Sequence, residues 1–187
     1  MKVLLCGEYP LPSEKPTLAV PKVMYNLVEG FKNINSSNFE IKVLTRRQNI
    51  NYDFTFSKDG VSYDYLANRR PKIVSSLVRD IPIFRKRIEK IKPDIIHAQD
   101  YVSAYCGISE NIPTVLTLHG MLWEEVKYFK GLQGFAKRSF QVPFIKHVLK
   151  NLSYLILISP YVETQIEKLT QANRFFIENP ISEEFFE

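Results

Sequence analysis

Short apolar runs alternate along this chain with longer stretches in which apolar residues recur every three or four positions. The runs are Val3 to Cys6, Ile41 to Thr45, Val61 to Leu66, Ile95 to His97, Thr114 to Leu118, Leu155 to Ser159 and Phe175 to Ile177. Most lack strict apolar–polar alternation, which is the pattern of strands covered on both faces in a parallel sheet. Between the first two runs, Val20, Val23, Met24, Leu27 and Phe31 form one apolar stripe at helical spacing, so the chain opens with a strand, a helix and a parallel strand. Ile73, Leu77, Phe84, Ile88 and Ile91 repeat the stripe before the fourth run. Pro82 is expected to kink or divide that helix, because it lacks an N–H and its ring crowds the preceding turn. Ser159 and Pro160 form an N-cap and first helical position, ahead of Glu163 and an apolar face of Val162, Ile166 and Leu169. The alternation predicts an α/β fold with a doubly wound, mainly parallel sheet of about seven strands.

Two segments break the rhythm. Met121 to Lys150 is long, helical in tendency, rich in Phe, Lys and Arg, and punctuated by Gly131, Gly134 and Pro143; it reads as an insertion of helices and loops. The tail from Glu178 to Glu187 follows the last run without another helix, and the expectation is that more chain follows.

With 187 residues the chain suits one domain with a real core, and 45% hydrophobic against 24% charged residues matches an ordinary globular protein. Cys6 and Cys106 stand alone in apolar segments, with neither disulfide nor zinc spacing, so a cytoplasmic location is expected. No apolar run nears the roughly 18 residues of a membrane span, and the short run after Met1 is too brief for a signal peptide. The net charge of +5 is compatible with anionic partners without choosing among them. The basic run Arg85, Lys86, Arg87, Lys90 and Lys92 lies mostly on the solvent side of its helix, so no nucleic-acid partner is expected.

Open parallel sheets bind ligands beyond the carboxyl ends of their strands, and that rule sorts the polar residues. Glu8 and Tyr9 follow the first run, Arg46 and Arg47 the second, His97, Gln99 and Asp100 the fourth, His119 and Gly120 the fifth, Ser159 the sixth and Asn179 the seventh. His119 ends its strand beside Gly120, where an imidazole can bond a sugar hydroxyl; a purely structural strand-end role is the alternative. His97 lies deeper and is read first as satisfying buried polar groups. Asp100 and Ser159 are both explicable as helix caps. No phosphate loop or GxGxxG follows the first strand, and Glu124 and Glu125 are adjacent on one helix, which excludes a paired-carboxylate hydrolase site there. No cofactor and no metal ligand set is expected.

Several segments, in order, resemble the N-terminal, Rossmann-like domain of the retaining family-four glycosyltransferases of GT-B architecture. They are KVLLCGEYPLPSE, PKVMYNLVEGFK, KPDIIHAQD, PTVLTLHG, ISPYVETQI and FIENPISEEFF. The chain departs from the family where Leu18 and Ala19 stand at a Gly-Gly pair, Lys22 at a frequent arginine, Gln99 at the second histidine of HxH, and Pro180 at a glycine.

The resemblance implies that residues 1–187 form the acceptor-side domain, with 178–187 starting a crossover to a separate donor domain. It implies hexose transfer, with retention, from a nucleotide sugar to a hydroxyl of a carbohydrate or lipid-linked acceptor. His119 would be the catalytic-side residue orienting donor or acceptor, and Lys22 would help neutralise the diphosphate. Residues Tyr9 to Glu14 and the 121–150 insertion would shape the acceptor site, with His97, Asp100, Gly120, Ser159 and Asn179 around the same cleft. Phe129, Phe135, Phe140 and Phe144, mixed with Lys127, Lys130, Lys137, Arg138, Lys146 and Lys150, also suit peripheral contact with an anionic membrane. A binding module without catalysis and an inverting or epimerase-type enzyme remain the alternatives.

Overall fold

The computed structural model describes residues 1–17, 19–33, 38–67 and 76–181, with the backbone alone at 76–78, 122, 132 and 133. Leu18, Ile73, the Leu77 side chain and residues 182–187 of the expected crossover lie outside the described residues. The strands are β1 (Lys2–Cys6), β2 (Glu40–Arg47), β3 (Phe54–Lys58), β4 (Val61–Ala67), β5 (Ile95–Ala98), β6 (Thr114–Leu118), β7 (Tyr154–Leu157) and β8 (Asn173–Phe176). They form one sheet in the order β3-β4-β2-β1-β5-β6-β7-β8. Every neighbouring pair is parallel except β3 with β4.

β3 is the strand beyond the expected seven, and local chemistry explains it. Phe54 and Phe56 alternate with Thr55 and Ser57, and Asp59 and Gly60 both take positive φ (51° and 77°), the conformation a tight hairpin requires. Phe54 stacks on Tyr65 and Phe56 on Tyr63 across the hairpin, at 4.7 and 4.8 Å between ring centroids.

Helices cover both faces. α1 (Ala19–Asn33) sets Met24 and Val28 against Val3, Leu5, Ile41 and Val43 on one face. On the other face, α2 (Ser76–Ile91) contributes Phe84 and Ile88, and α3 (Tyr101–Ser109) contributes Ala104 and Cys106. These pack on Leu4, Cys6, Leu44, Ile96 and Leu116. Pro82 does not divide α2, which runs unbroken from Ser76 to Ile91; a tolerated proline costs a helix one backbone hydrogen bond, and packing of Phe84 and Ile88 offsets that loss.

The insertion consists of α4 (Leu122–Glu125), a 3-10 turn (Val126–Tyr128), α5 (Gly131–Ala136), a π-helical stretch (Lys137–Gln141) and α6 (Val142–Asn151). α6 buries Ile145, Val148 and Leu149 in the larger core, so this part of the insertion is structural cover. The last helix, α7 (Pro160–Ile166), buries Val162 and Ile166. Leu169 lies past its end but still packs on the core.

The chain runs outward from β1 through β2 to β4 and then returns to place β5 on the other flank of β1. The point where strand order reverses is therefore between β1 and β5. In open sheets a crevice forms there at the carboxyl ends.

Candidate functional site

Leu5 pairs with His97 across β1 and β5, so His97 shares the α1 face of the sheet with Leu5. Strand alternation puts Gln99, Thr117 and His119 on that face too. There they form one connected chain. The His97 Nε2 lies 2.8 Å from Thr117 Oγ1 and 3.0 Å from the Gln99 amide nitrogen, while the Gln99 amide oxygen lies 2.6 Å from His119 Nε2. His97 thus bonds the buried side chains of Thr117 and Gln99. Burial, with a smaller contribution from the His119 charge, holds the His97 imidazole down at about 4, and burial also lowers His119.

Gln99 joins the two histidines because the switch point leaves it no other place. Its N–H donates to the Cys6 carbonyl at 2.7 Å, and its Cβ would sit 2.8 Å from a Cβ built on Gly7. The absence of a side chain at Gly7 makes room for it. The sequence places Gln99 at the strand end and, since i and i+2 of a strand share a face, on the same face as His97; its bond to His119 depends on the pairing of β5 with β6.

A second feature opens on the opposite, α2–α3 side of the same edge. This open cavity of about 560 Å3 is lined by Gly7, Glu8, Arg46, Arg47, Gln48, Asn49, Asp80, Phe84, Asp100 and Val102. Arg46 pairs with the buried Asp80, and Arg47 reaches Glu8 at 3.2 Å and Glu14 at 2.6 Å. Two arginines face three carboxylates in this lining, so it suits a hydroxyl-rich ligand better than a bare anion. Arg46 and Arg47 were legible as strand-end residues. Asp80, Phe84 and Val102 were not, because they come from helices whose placement only the fold sets.

Among the remaining expected residues, Glu14 accepts from the Leu11 N–H, Asn49 and Arg47, which hold its carboxyl below the usual range against partial burial. Asp100 caps α3, accepting from the Ser103 N–H at 2.9 Å and hydroxyl at 2.8 Å, while burial raises its pKa. The Gly120 carbonyl accepts from the Tyr101 hydroxyl at 3.2 Å, which ties the β6 tip to α3. Lys22 lies in the first turn of α1, half-buried.

Tyr9 is buried apart from the histidine chain. It is 5% exposed, and its ring packs on Tyr25 and Tyr63 in the α1-side core, because the turn after Glu8 sends it back under the aromatic hairpin. Ser159 occupies the N-cap position of α7, but its side chain makes no cap bond. Asn179 is half-buried in the segment after β8, where the next carbonyl, of Pro180, accepts from Asn26 on α1. No hydrogen bond joins Ser159 or Asn179 to the histidine pair among the described residues. Nor do three or more His, Cys, Asp or Glu side chains gather among those residues to hold a metal.

The Glycosyltransferase Family 4 model matches residues 20–185. The chain belongs to glycosyltransferase family 4. Solved structures agree on the fold. Sucrose-phosphate synthase from Thermosynechococcus elongatus superposes with a TM-score of 0.64 at 15% identity over 95% of this chain and 47% of that one. The lipopolysaccharide outer core galactosyltransferase WaaB gives 0.61 at 15% over 97% and 46%, and Arabidopsis thaliana UGT89C1, solved with UDP-L-rhamnose, gives 0.61 at 10% over 98% and 50%. The chain spans about half the length of these three proteins. No curated protein sequence matches it.

Proposed function

We propose that this family 4 chain is the acceptor-side half of a two-domain enzyme that moves a hexose from a nucleotide sugar to a hydroxyl, retaining anomeric configuration. The observation that carries the reading is the polar edge at the β1–β5 switch point, where the cavity lined by arginines and carboxylates and the His97–Gln99–His119 chain meet at Gly7 and Gln99. Family membership supports nucleotide-sugar chemistry. His119 orients a reacting sugar at the β6 tip, Lys22 offsets diphosphate charge, and Glu14, Asp100, Gly120, Ser159 and Asn179 frame the cleft, with His97 behind them. Residues 178–187 lead toward a separate donor-binding domain. The acceptor is a carbohydrate or a lipid-linked sugar.

The test pairs the 187-residue chain with the two-domain protein in nucleotide-diphosphate release assays across UDP-, GDP- and ADP-sugars. Release by the longer protein only, with a product of the donor's anomeric configuration, is the expected result. Turnover by the 187-residue chain alone at about 1 per second or more, a rate typical of complete enzymes, would overturn the half-enzyme reading; an inverted product would overturn retention.

Charge segregation favours peripheral membrane contact as part of this reading. Between residues 126 and 162 there are six Lys or Arg and no Asp or Glu, so, with +5 overall, the rest of the chain carries a net −1. Phe135, Phe140 and Tyr128 are exposed within that basic stretch, at 60, 65 and 85%. Phe144 instead packs against Tyr105, and Phe129 lies beneath the Lys137 ammonium, so only two of the four phenylalanines expected at a membrane are fully presented. Lys127 pairs with Glu124, and the exposed aromatics among the other five cations match an anionic lipid interface. Among the described residues no helix is long and apolar enough to cross a membrane.

A further inference from the structure

We propose that Gln99 is a positioning residue that imposes opposite tautomers on His97 and His119, so that His119 meets its ligand with an unprotonated Nδ1 and accepts from a hydroxyl. The argument begins with what each end of an amide can do. Its nitrogen only donates and its oxygen only accepts. The nitrogen faces His97 Nε2 at 3.0 Å, so that ring nitrogen carries a lone pair. The oxygen faces His119 Nε2 at 2.6 Å, so that nitrogen carries the hydrogen. A neutral imidazole has one donor and one acceptor nitrogen. His97 is therefore the Nδ1–H form, and His119 the Nε2–H form with its lone pair on Nδ1.

The distances choose between this arrangement and its reverse. A half-turn of the amide would place two nitrogens 2.6 Å apart at His119, shorter than even the ordinary N–H···O range. As found, the short contact is N–H···O and the longer one N–H···N. The Thr117 hydroxyl, 2.8 Å from His97 Nε2, can donate or accept and does not choose between the two.

Gln99 is also fixed in place as far as its Cβ, so its amide is presented between the two rings. Its side chain is in a residue only 7% exposed, its N–H is tied to Cys6, and its Cβ rests against the bare backbone of Gly7. Burial keeps His97 neutral near physiological pH, so protonation does not erase the asymmetry. The Nδ1 of His119 has no hydrogen-bond partner among the described residues and remains for a ligand at the strand tip.

The assignment of that ligand as a substrate hydroxyl rests on the transfer reading, whereas the tautomers themselves do not. The experiment therefore reads the tautomers without turnover. The chain has three histidines, and His147 is exposed on α6 as a reference. Long-range 1H–15N correlation of the ring nitrogens at pH 8 is expected to show an unprotonated Nε2 on His97 and a protonated Nε2 on His119. The first is the rarer form of free histidine, so it will not arise by default. Gln99→Glu replaces the donor end with a second acceptor; His97 should then take its proton on Nε2, while His119 keeps its Nε2–H. A protonated Nε2 on wild-type His97, or an unprotonated Nε2 on wild-type His119, overturns the proposal, as does a His97 ring that stays Nδ1–H in a folded Gln99→Glu variant. The wild-type spectrum decides even where that variant does not fold. Failure of the glycosyl-transfer reading would leave all these signals unchanged.

Discussion

Acidification should weaken this fold through His97 in a measurable and separable way. Burial lowers its pKa from 6.5 to about 4 in the folded chain, a difference of about 2.5 units. Between those values the unfolded chain binds a proton that the folded chain refuses, so the unfolded state gains as pH falls. The contribution of His97 to stability is complete above pH 6.5 and disappears as pH approaches 4. At about 1.4 kcal/mol per unit, the loss is about 3 kcal/mol, a large share of a typical domain's stability. Raised carboxyl groups such as Asp64 and Asp100 act in the opposite sense, because protonation at low pH relieves their burial. A non-titrating His97→Gln variant isolates the effect. Urea unfolding followed by the fluorescence of Trp123, which packs against the larger core, should be measured from pH 7.5 to 4.5 for both proteins. Wild type should lose about 2.5 kcal/mol more than the variant over that range. Stability curves that run parallel within about 0.5 kcal/mol, the usual spread for uncoupled changes, would refute a buried neutral His97.

Other outcomes follow from particular contacts. Gly107→Ala should cost about 1–3 kcal/mol in urea unfolding, because a Cβ there would collide with Thr114 Oγ1 and come within 3.0 Å of Ile96 Cδ1 where α3 meets the sheet. In the two-domain enzyme, His119→Ala should lower kcat/KM by about 10- to 1,000-fold with little change in Tm; unchanged kinetics would remove it from the site. Liposome flotation should recover more protein with anionic than with neutral vesicles, and Phe135→Ser with Phe140→Ser should reduce that recovery; equal recovery on both vesicle types rejects the lipid surface.

Much of the architecture is legible without coordinates, because strand and helix periodicities are properties of consecutive residues. Thr114 to Leu118 is read to the residue, and Met24, Leu27 and Phe31 of the α1 stripe lie on the core, whereas Val20 and Val23 do not. β3 was also legible, through Phe54 and Phe56 at strand spacing before Asp59-Gly60, but an edge strand of five residues with three polar positions carries little apolar signal. The boundary between chemistry and packing was harder to see. Tyr9 and Glu8 are neighbours at a strand end, yet one turns into the aromatic core and the other lines the cavity.

What the sequence alone determined is the α/β alternation, the strand-end position of each polar residue and the likeness to family 4, all of which depend on local pattern and order. Only the tertiary structure decided that β5 returns beside β1, and this one non-local step creates the site. It brings Gln99 against Gly7 from 92 residues away, links two histidines 22 residues apart, and carries Asp80 and Phe84 of α2 to Arg46 on β2. Strand order is set by how helices pack on the two faces of the sheet. No window of neighbouring residues contains that energy.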